Sequence, residues 1–373
     1  MRRSVAIIGS RGYPSFYGGF ETAVRHLAPY LADRGWDVTV YGRRGQTVDA
    51  LADPRVHRVA TDGIESTSLS TLSHGFTATI AALRARHDVA LVMNVANGYF
   101  LPLLRLGRIP TVVNVDGVEW ERAKWGQLAR FVFRLGARLT RLAATTLVVD
   151  ARAIGDYWQR TLGRGGVFIP YGADAPGPLP VMDSLIDGAY ILFVARLVPE
   201  NSVHQFLDAV EELDAAVPVV VVGAPPVGDT VVTPRLEDLA RRRASFHWLG
   251  QVSDDDLLFG LWQHAGVYVH GHTVGGTNPA LVQAMACGAP VVARDTVFNR
   301  EVLGETGVFV GDSSRELSDA IKGMLASPAD RARLSAAASA RAASSYSWPS
   351  VLEAYERELV SAADRQARAA GRR

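Results

Sequence analysis

Two apolar patterns alternate along the chain. The short unbroken apolar run at residues 5–8 has the pattern of a strand buried on both faces of a parallel sheet, and further strands are predicted at 89–93, 111–115, 146–149, 190–195, 217–222, 266–270 and 289–293. Between them, apolar residues recur every three or four positions. Val24, Leu27, Ala28 and Leu31 mark a helix over 21–33 that Gly35 ends, and a strand at 37–41 follows, so the chain opens β-loop-α-β with a right-handed crossover. Further helices are predicted over 123–142, 203–213, 235–243, 254–263 and 280–286, with a strand at 245–250. Residues 347–359 are amphipathic, and 371–373 are expected to fray.

One composition break interrupts this alternation. Gly172-Ala-Asp-Ala-Pro-Gly-Pro-Leu-Pro180 carries three prolines and two glycines and can continue neither regular element. It predicts a domain over 1–172, a linker over 173–187, a second domain over 188–345 and a terminal helical segment, 346–373, packing back toward the first domain. A length of 373 residues suits two such cores. Doubly wound α/β architecture is the economical account of both.

Charge and cysteine content narrow the chemistry. A net charge of +1 from 39 basic and 38 acidic residues argues against a nucleic-acid binder. The single cysteine, Cys287, excludes an internal disulfide framework and a cysteine-based metal cluster. The apolar run at 5–8 is too short for a leader and reads as a strand, so a cytoplasmic location is expected. No apolar stretch approaches the roughly 20 residues that cross a bilayer, which confines membrane contact to the surface. Arg130, Arg134, Arg138 and Arg141 share one face of the 123–142 helix beside Phe131, Leu135, Leu139 and Leu142. That face is either a solvated arginine row or a docking surface, over 130–141, for an anionic membrane or a lipid diphosphate.

In open α/β sheets, ligands bind outside the carboxyl ends of the strands, so the loops after them are the candidate sites. The stretch 266–286 runs from strand through Gly275-Gly276-Thr277-Asn278 into a helix, and suits a phosphate or diphosphate. Gly18-Gly19 follows the first strand, and Arg196 follows the first strand of the second domain. Together an arginine fork and two sets of backbone donors would hold a diphosphate; singly, each is also a plain turn or a surface ion pair. A nicotinamide site is disfavoured, because G-x-G-x-x-G counted from Gly9 meets Arg11 and Pro14. Asp254-Asp-Asp256 follows Ser253 at a helix start, where capping explains it better than metal binding. His270 and His272 lack nearby further ligands, so donor-site contact or packing is preferred to a metal.

Val194-Ala-Arg-Leu-Val-Pro-Glu-Asn201, Ile169-Pro-Tyr-Gly-Ala-Asp174 and His270-Gly-His-Thr-Val-Gly-Gly-Thr-Asn-Pro279 carry a family resemblance, as do Gly12-Tyr-Pro-Ser-Phe-Tyr-Gly-Gly-Phe-Glu21 and Val115-Asp-Gly-Val-Glu-Trp-Glu-Arg-Ala-Lys-Trp125. With these motifs the chain resembles the family-4 glycosyltransferases of GT-B fold, closest to their rhamnosyltransferase-like branch. The resemblance spans about residues 4 to 360. It implies two Rossmann-like domains facing a central cleft and transfer of a sugar, dTDP-L-rhamnose being the implied donor, with retention and without metal or cofactor. It also implies roles. Arg196 matches the arginine on the donor diphosphate; Asn201 stands where the superfamily has lysine. Gly18 and Gly19 match the loop near the sugar phosphate, and His272, Gly275, Gly276, Thr277 and Asn278 complete the donor side. Asp116 falls where relatives place a histidine or aspartate near the reacting carbon. Tyr17, Glu119, Trp120, Arg122 and Lys124 match acceptor-side positions.

One departure stands out. The superfamily's second glutamate, which accepts from the nucleotide ribose, is Gln283 here. A neutral amide in its place would weaken donor binding by about 1 kcal/mol. The expected acceptor is a glycan or lipid-diphosphate-linked saccharide at the inner membrane face. Another GT-B enzyme, such as a nucleotide-sugar epimerase, and a non-catalytic nucleotide-sugar-binding partner are the alternatives.

Overall fold

The computed structural model describes residues 2–15, 18–45, 47, 51–64, 70–122 and 125–371. The chain divides into two compact units, residues 1–171 with 348–373, and residues 172–347. In the first, β1 (Ser4–Ile8), α1 (Gly19–Asp33), β2 (Asp37–Arg43), β3 (Val56–Thr61), α2 (Ser70–Ala85) and β4 (Val89–Met93) lead to α3 (Leu101–Leu106) and β5 (Thr111–Asn114). Helix α4 (Gln127–Ala143), β6 (Thr146–Val149), α5 (Arg152–Leu162) and β7 (Val167–Phe168) complete it. Among the described residues these strands form one parallel sheet in the order β3-β2-β1-β4-β5-β6-β7. The central runs are buried throughout, as their unbroken apolar sequence requires. Strand β3 carries four exposed residues in a row at the sheet edge, and so lacks the apolar signature that marks the others.

The second unit repeats the plan. It runs β8 (Ile191–Val194), α6 (Val203–Glu211), β9 (Val219–Val222), α7 (Val232–Arg242), β10 (Phe246–Trp248), α8 (Asp255–Gln263), β11 (Val267–His270), α9 (Pro279–Ala286) and β12 (Val291–Arg294). Then come α10 (Val297–Leu303), β13 (Val308–Val310), α11 (Ser314–Ala326) and α12 (Pro328–Ser345). The parallel sheet order is β10-β9-β8-β11-β12-β13. Phe193 and Phe206 stack at the centre of its core, 4.4 Å between ring centroids, among buried Ile191, Leu207, Val221 and Val269. Each such side chain stabilises the fold by about 1.5–3 kcal/mol relative to exposure.

The last helix, α13 (Trp348–Gly371), belongs to the first unit and packs on α1, β4 and β5. Trp348 stacks on His26 with 4.0 Å between centroids. Glu356 accepts from Tyr30, Arg34 and the indole of Trp36. In both sheets the strand order reverses beside the first strand of the unit, between β1 and β4 and between β8 and β11. Those two switch points are where a doubly wound sheet opens a crevice at its carboxyl edge.

The large apolar residues of helix α4 were expected to share one face beside its arginines; the helix packs through its small ones, Gly136, Ala137 and Thr140, where backbone meets backbone. A Cβ on Gly136 would stand 2.6 Å from the Val95 carbonyl oxygen, and one on Gly98 would stand 2.2 Å from that of Gly136. Leu128, Phe131 and Leu142 consequently face solvent, 78%, 58% and 62% exposed, alongside exposed Arg134, Arg138 and Arg141. Arg130 turns partly inward and donates to the Arg122 carbonyl at 3.5 Å. No described helix is long and apolar enough to cross a membrane.

Candidate functional site

In the second unit, the carboxyl ends of β8 and β11 bring together most of the residues expected on the donor side. Arg196 lies just beyond β8 with its side chain exposed. Asn201 is buried, donating from Nδ2 to the Arg196 carbonyl at 2.7 Å while its Oδ1 sits 2.5 Å from His272 Nδ1. Since the amide oxygen can only accept, His272 Nδ1 carries the proton, and Nε2 is left to face the turn. A Cβ on Gly275 would lie 3.2 Å from that Nε2. Gly275 has φ +115°, where a side chain would be strained, so glycine is needed on both counts.

The surrounding loops are tied tightly. Ser202 donates to the Gly271 carbonyl at 2.7 Å, Thr273 bonds the Glu200 carbonyl through both its amide and its hydroxyl, and Asn299 donates to the His272 carbonyl at 2.9 Å. A Cβ on Gly271 would come within 2.2 Å of the Asn201 carbonyl oxygen. His270 beneath is buried, its Nδ1 3.0 Å from the Tyr268 hydroxyl. Burial first, then the neighbouring His272, holds its pKa well below the usual histidine value. It is therefore neutral near pH 7 and packed within the core.

Three residues expected on the donor side are also bonded within the protein. Asn201 bonds Arg196 and His272 and braces them. Asn278 caps α9, its Oδ1 accepting from Ala280 at 2.9 Å, while Pro279 has no amide hydrogen and Leu281 and Val282 donate to the Asn278 carbonyl. An anion here would meet the helix dipole and the amides of the turn at Gly275 and Gly276, the amides of α9 itself being engaged. Thr277 is buried between them. Gln283, expected on the ribose, has both amide atoms on the backbone of Asp174.

The carboxyl edge of the first sheet is different in kind. Gly18, in extended backbone, caps α1 and its carbonyl accepts from Thr22 through amide and hydroxyl; Gly19 opens the helix. Glu21, buried, accepts from the Arg11 amide at 2.9 Å and shapes the loop after β1. Gly9 has φ +97°, and a Cβ there would stand 2.4 Å from the Met93 carbonyl oxygen. Asp116, half-buried just past β5, has φ +58° and its amide donates to Asn114 Oδ1 at 3.0 Å. Asn114 in turn donates to the Tyr355 hydroxyl at 2.7 Å.

Buried Tyr171 reveals the company Asp116 keeps. Its pKa is raised by burial above all, then by the charges of Asp116 and Asp150, by Tyr355 and by Glu21. Asp150 and Tyr355 were not singled out from the sequence, and Tyr171 only within the 169–174 motif. Asp150 follows β6 directly, a position that could have flagged it, whereas Tyr355 arrives from α13, more than two hundred residues away, with no local signal.

The described residues expected on the acceptor side are bonded within the protein. Glu119 and Arg122 form a largely buried ion pair at 2.7 Å, with the indole of Trp125 donating to Glu119 at 3.2 Å. Trp120 is 4% exposed and donates to the Tyr157 hydroxyl at 2.9 Å within a cluster that includes Trp158. These residues hold their loop together and present little surface to an acceptor. Tyr17 and Lys124 lie outside the described residues. Asp254 caps α8, accepting from the amides of Asp256 and Leu257. Among the described residues, no group of three or more His, Cys, Asp or Glu side chains is placed to hold a metal.

The family model described as Glycosyltransferase Family 4 matches residues 17–175, and that described as Glycosyl transferases group 1 matches residues 188–327. A curated relative, O-antigen chain mannosyltransferase B of Escherichia coli, is 27% identical over 136 residues, a match that spans only 35% of this chain and 35% of that protein. Solved structures agree over nearly the whole length. Sucrose-phosphate synthase of Thermosynechococcus elongatus superposes with a TM-score of 0.79 at 20% identity, covering 97% of this chain and 100% of that one. Anabaena HepE in complex with UDP-glucose superposes at 0.74 and 17% identity, covering 97% and 100%. At these identities the structures speak for the fold, and the two family models, which between them take in most of the chain, speak for its class. With two doubly wound units that carry the family's motifs at their switch points, the chain belongs to the family-4 glycosyltransferases of GT-B fold.

Proposed function

We propose that the protein transfers L-rhamnose from dTDP-L-rhamnose to a lipid-diphosphate-linked saccharide, with retention of configuration and without a metal. The observation that supports this most is the exposed Arg196 guanidinium, whose backbone Asn201 pins beside the His272–Gly275 turn. As the sugar–phosphate bond breaks, negative charge grows on the leaving diphosphate. A pre-set guanidinium, the turn amides and the positive end of α9 stabilise that charge without reorganising, the kind of term worth about 2.7–4 kcal/mol per donor. In this reading Asp116 orients the sugar or stabilises the positive charge that develops on its reacting carbon.

The relatives support a nucleotide-sugar donor and a glycan acceptor, HepE by its UDP-glucose and the E. coli protein by its O-antigen chain. Rhamnose rests on the motif resemblance; a mannose donor is the second reading, favoured by that relative's name. Turnover of dTDP-rhamnose, GDP-mannose and UDP-glucose, with and without chelator, tests all of these. Nucleotide binding without turnover would favour the non-catalytic partner reading, sugar isomerisation the epimerase reading, and no binding at all would end the donor assignment.

Membrane docking through α4 belongs to the same proposal. Exposed Leu128, Phe131 and Leu142, with Leu106 at the end of α3, stand among exposed arginines, the make-up of an interfacial helix. Replacing Phe131 by Ser and Arg134 and Arg138 by Gln should reduce sedimentation with anionic vesicles, and unchanged sedimentation would count against docking.

A further inference from the structure

Gln283 lies buried in α9, one turn beyond the Asn278 cap. Its Oε1 accepts from the Asp174 amide at 3.0 Å and its Nε2 donates to the Asp174 carbonyl at 2.8 Å, a closed pair of bonds to a single residue's backbone. The same Nε2 lies 3.4 Å from Cys287 Sγ, whose own pKa burial pushes up to about 11. Next to Asp174, the Ala173 amide donates to the Tyr346 carbonyl at 2.7 Å, and Ala173 pairs with Ser347 in an isolated parallel bridge.

Residues 172–174 are where the chain enters the second unit, and 346–347 are where it leaves. Gln283 thus ties both passages to the helix that carries the candidate diphosphate turn. The chemistry explains the amide. A carboxylate could accept from the Asp174 amide, but it could not donate to the Asp174 carbonyl and would oppose it. Glutamine supplies one donor and one acceptor to a backbone that offers one of each.

We propose that Gln283 is a positioning residue that fixes the 172–174 passage to α9 and does not contact the nucleotide ribose. Its consequence for catalysis rests on the donor assignment made above; the latch itself does not.

The test uses the full-length chain with Gln283→Met, which keeps the volume and removes both bonds, and Gln283→Glu, which keeps the acceptor alone. Amide hydrogen exchange is followed at 172–176 without nucleotide, and calorimetry compares dTDP with its 2′,3′-dideoxy analogue. Exchange at Asp174 should rise about fivefold to tenfold in Gln283→Met, the loss of about one net hydrogen bond, and less in Gln283→Glu. The ratio of the two dissociation constants should stay within about twofold of the unmodified protein, as for two groups that do not interact. Should Gln283→Met fail to fold, the same two readings on Gln283→Glu decide. Unchanged exchange at Asp174 would overturn the latch. A dissociation-constant ratio that collapses toward one would make Gln283 a ribose ligand after all. A chain that binds neither nucleotide would defeat the donor assignment and leave the exchange result to judge the latch alone.

Discussion

The two sheets share a plan and differ at their carboxyl edges. Around β8 and β11, the second unit gathers a guanidinium, a histidine whose Nδ1 donates to Asn201, and glycine amides, with its buried amide side chains bonded to other parts of the frame. Around β1, β5 and β6, the first unit gathers Glu21, Asp116 and Asp150 about the two tyrosines Tyr171 and Tyr355. One edge carries a guanidinium and backbone donors and the other carboxylates, and the proposed donor and acceptor sides follow that division. The fold therefore places a site, and the residues just past the strands decide which charge it welcomes.

The contrast can be tested in descending order of effect. Arg196→Met should lower kcat/KM for the nucleotide sugar by about 10²–10³-fold, the loss of a charge-assisted donor, with thermal stability unchanged because the guanidinium is exposed. A smaller loss would remove Arg196 from the centre of the donor edge. Asp116→Asn should cost roughly 10²-fold in kcat while leaving nucleotide affinity within about twofold. Asparagine tolerates φ +58°, so the fold should hold; a change in nucleotide affinity with kcat preserved would reverse the assignment of the two edges.

Two substitutions probe the frame of the second unit. Gly271→Ala should destabilise by about 1–3 kcal/mol, since its Cβ would meet the Asn201 carbonyl oxygen, and denaturant unfolding reads this directly. Asn201→Ala should cost a similar 1–3 kcal/mol by stranding the Arg196 carbonyl and His272 Nδ1, and should weaken diphosphate binding through Arg196 without removing any ligand contact.

The smallest effect is on pH. Burial lowers the pKa of His270, so the unfolded chain takes up a proton below about pH 6.5 that the folded chain refuses. Stability from this group is complete above pH 6.5 and is lost as the pH falls toward the folded value, by at most about 1.4 kcal/mol per pH unit. His87 in the first unit shifts in the same direction, through burial opposed by Asp37 and Asp88. Unfolding measured from pH 7 to 5 should therefore flatten more in His270→Gln than in His87→Gln.

The strands at both sheet centres were legible because a strand covered on both faces must be apolar throughout. Edge strands β3 and β7 were not, since exposure leaves them no such pattern. The periodicity of α4 was legible too, but not which of its faces packs. Periodicity reports which residues share a side, and the close backbone contact at Gly136 and Gly98 chose the side with the smallest residues. The sequence places Arg196 and the glycine turn past their strands, where the structure has them, but carries no sign that Asn201, Asn278 and Gln283 are each bonded within the protein.

By itself the sequence determined two parallel α/β units, the break between them near residue 172 and the loops past the strands where a ligand is expected. These follow from local pattern: unbroken apolar runs, helical spacing and residues that cannot continue an element. Only the tertiary structure decided which polar groups remain available for chemistry. A hydrogen bond is settled by what lies within 3 Å, and for Gln283 that neighbour is Asp174, 109 residues earlier in the chain.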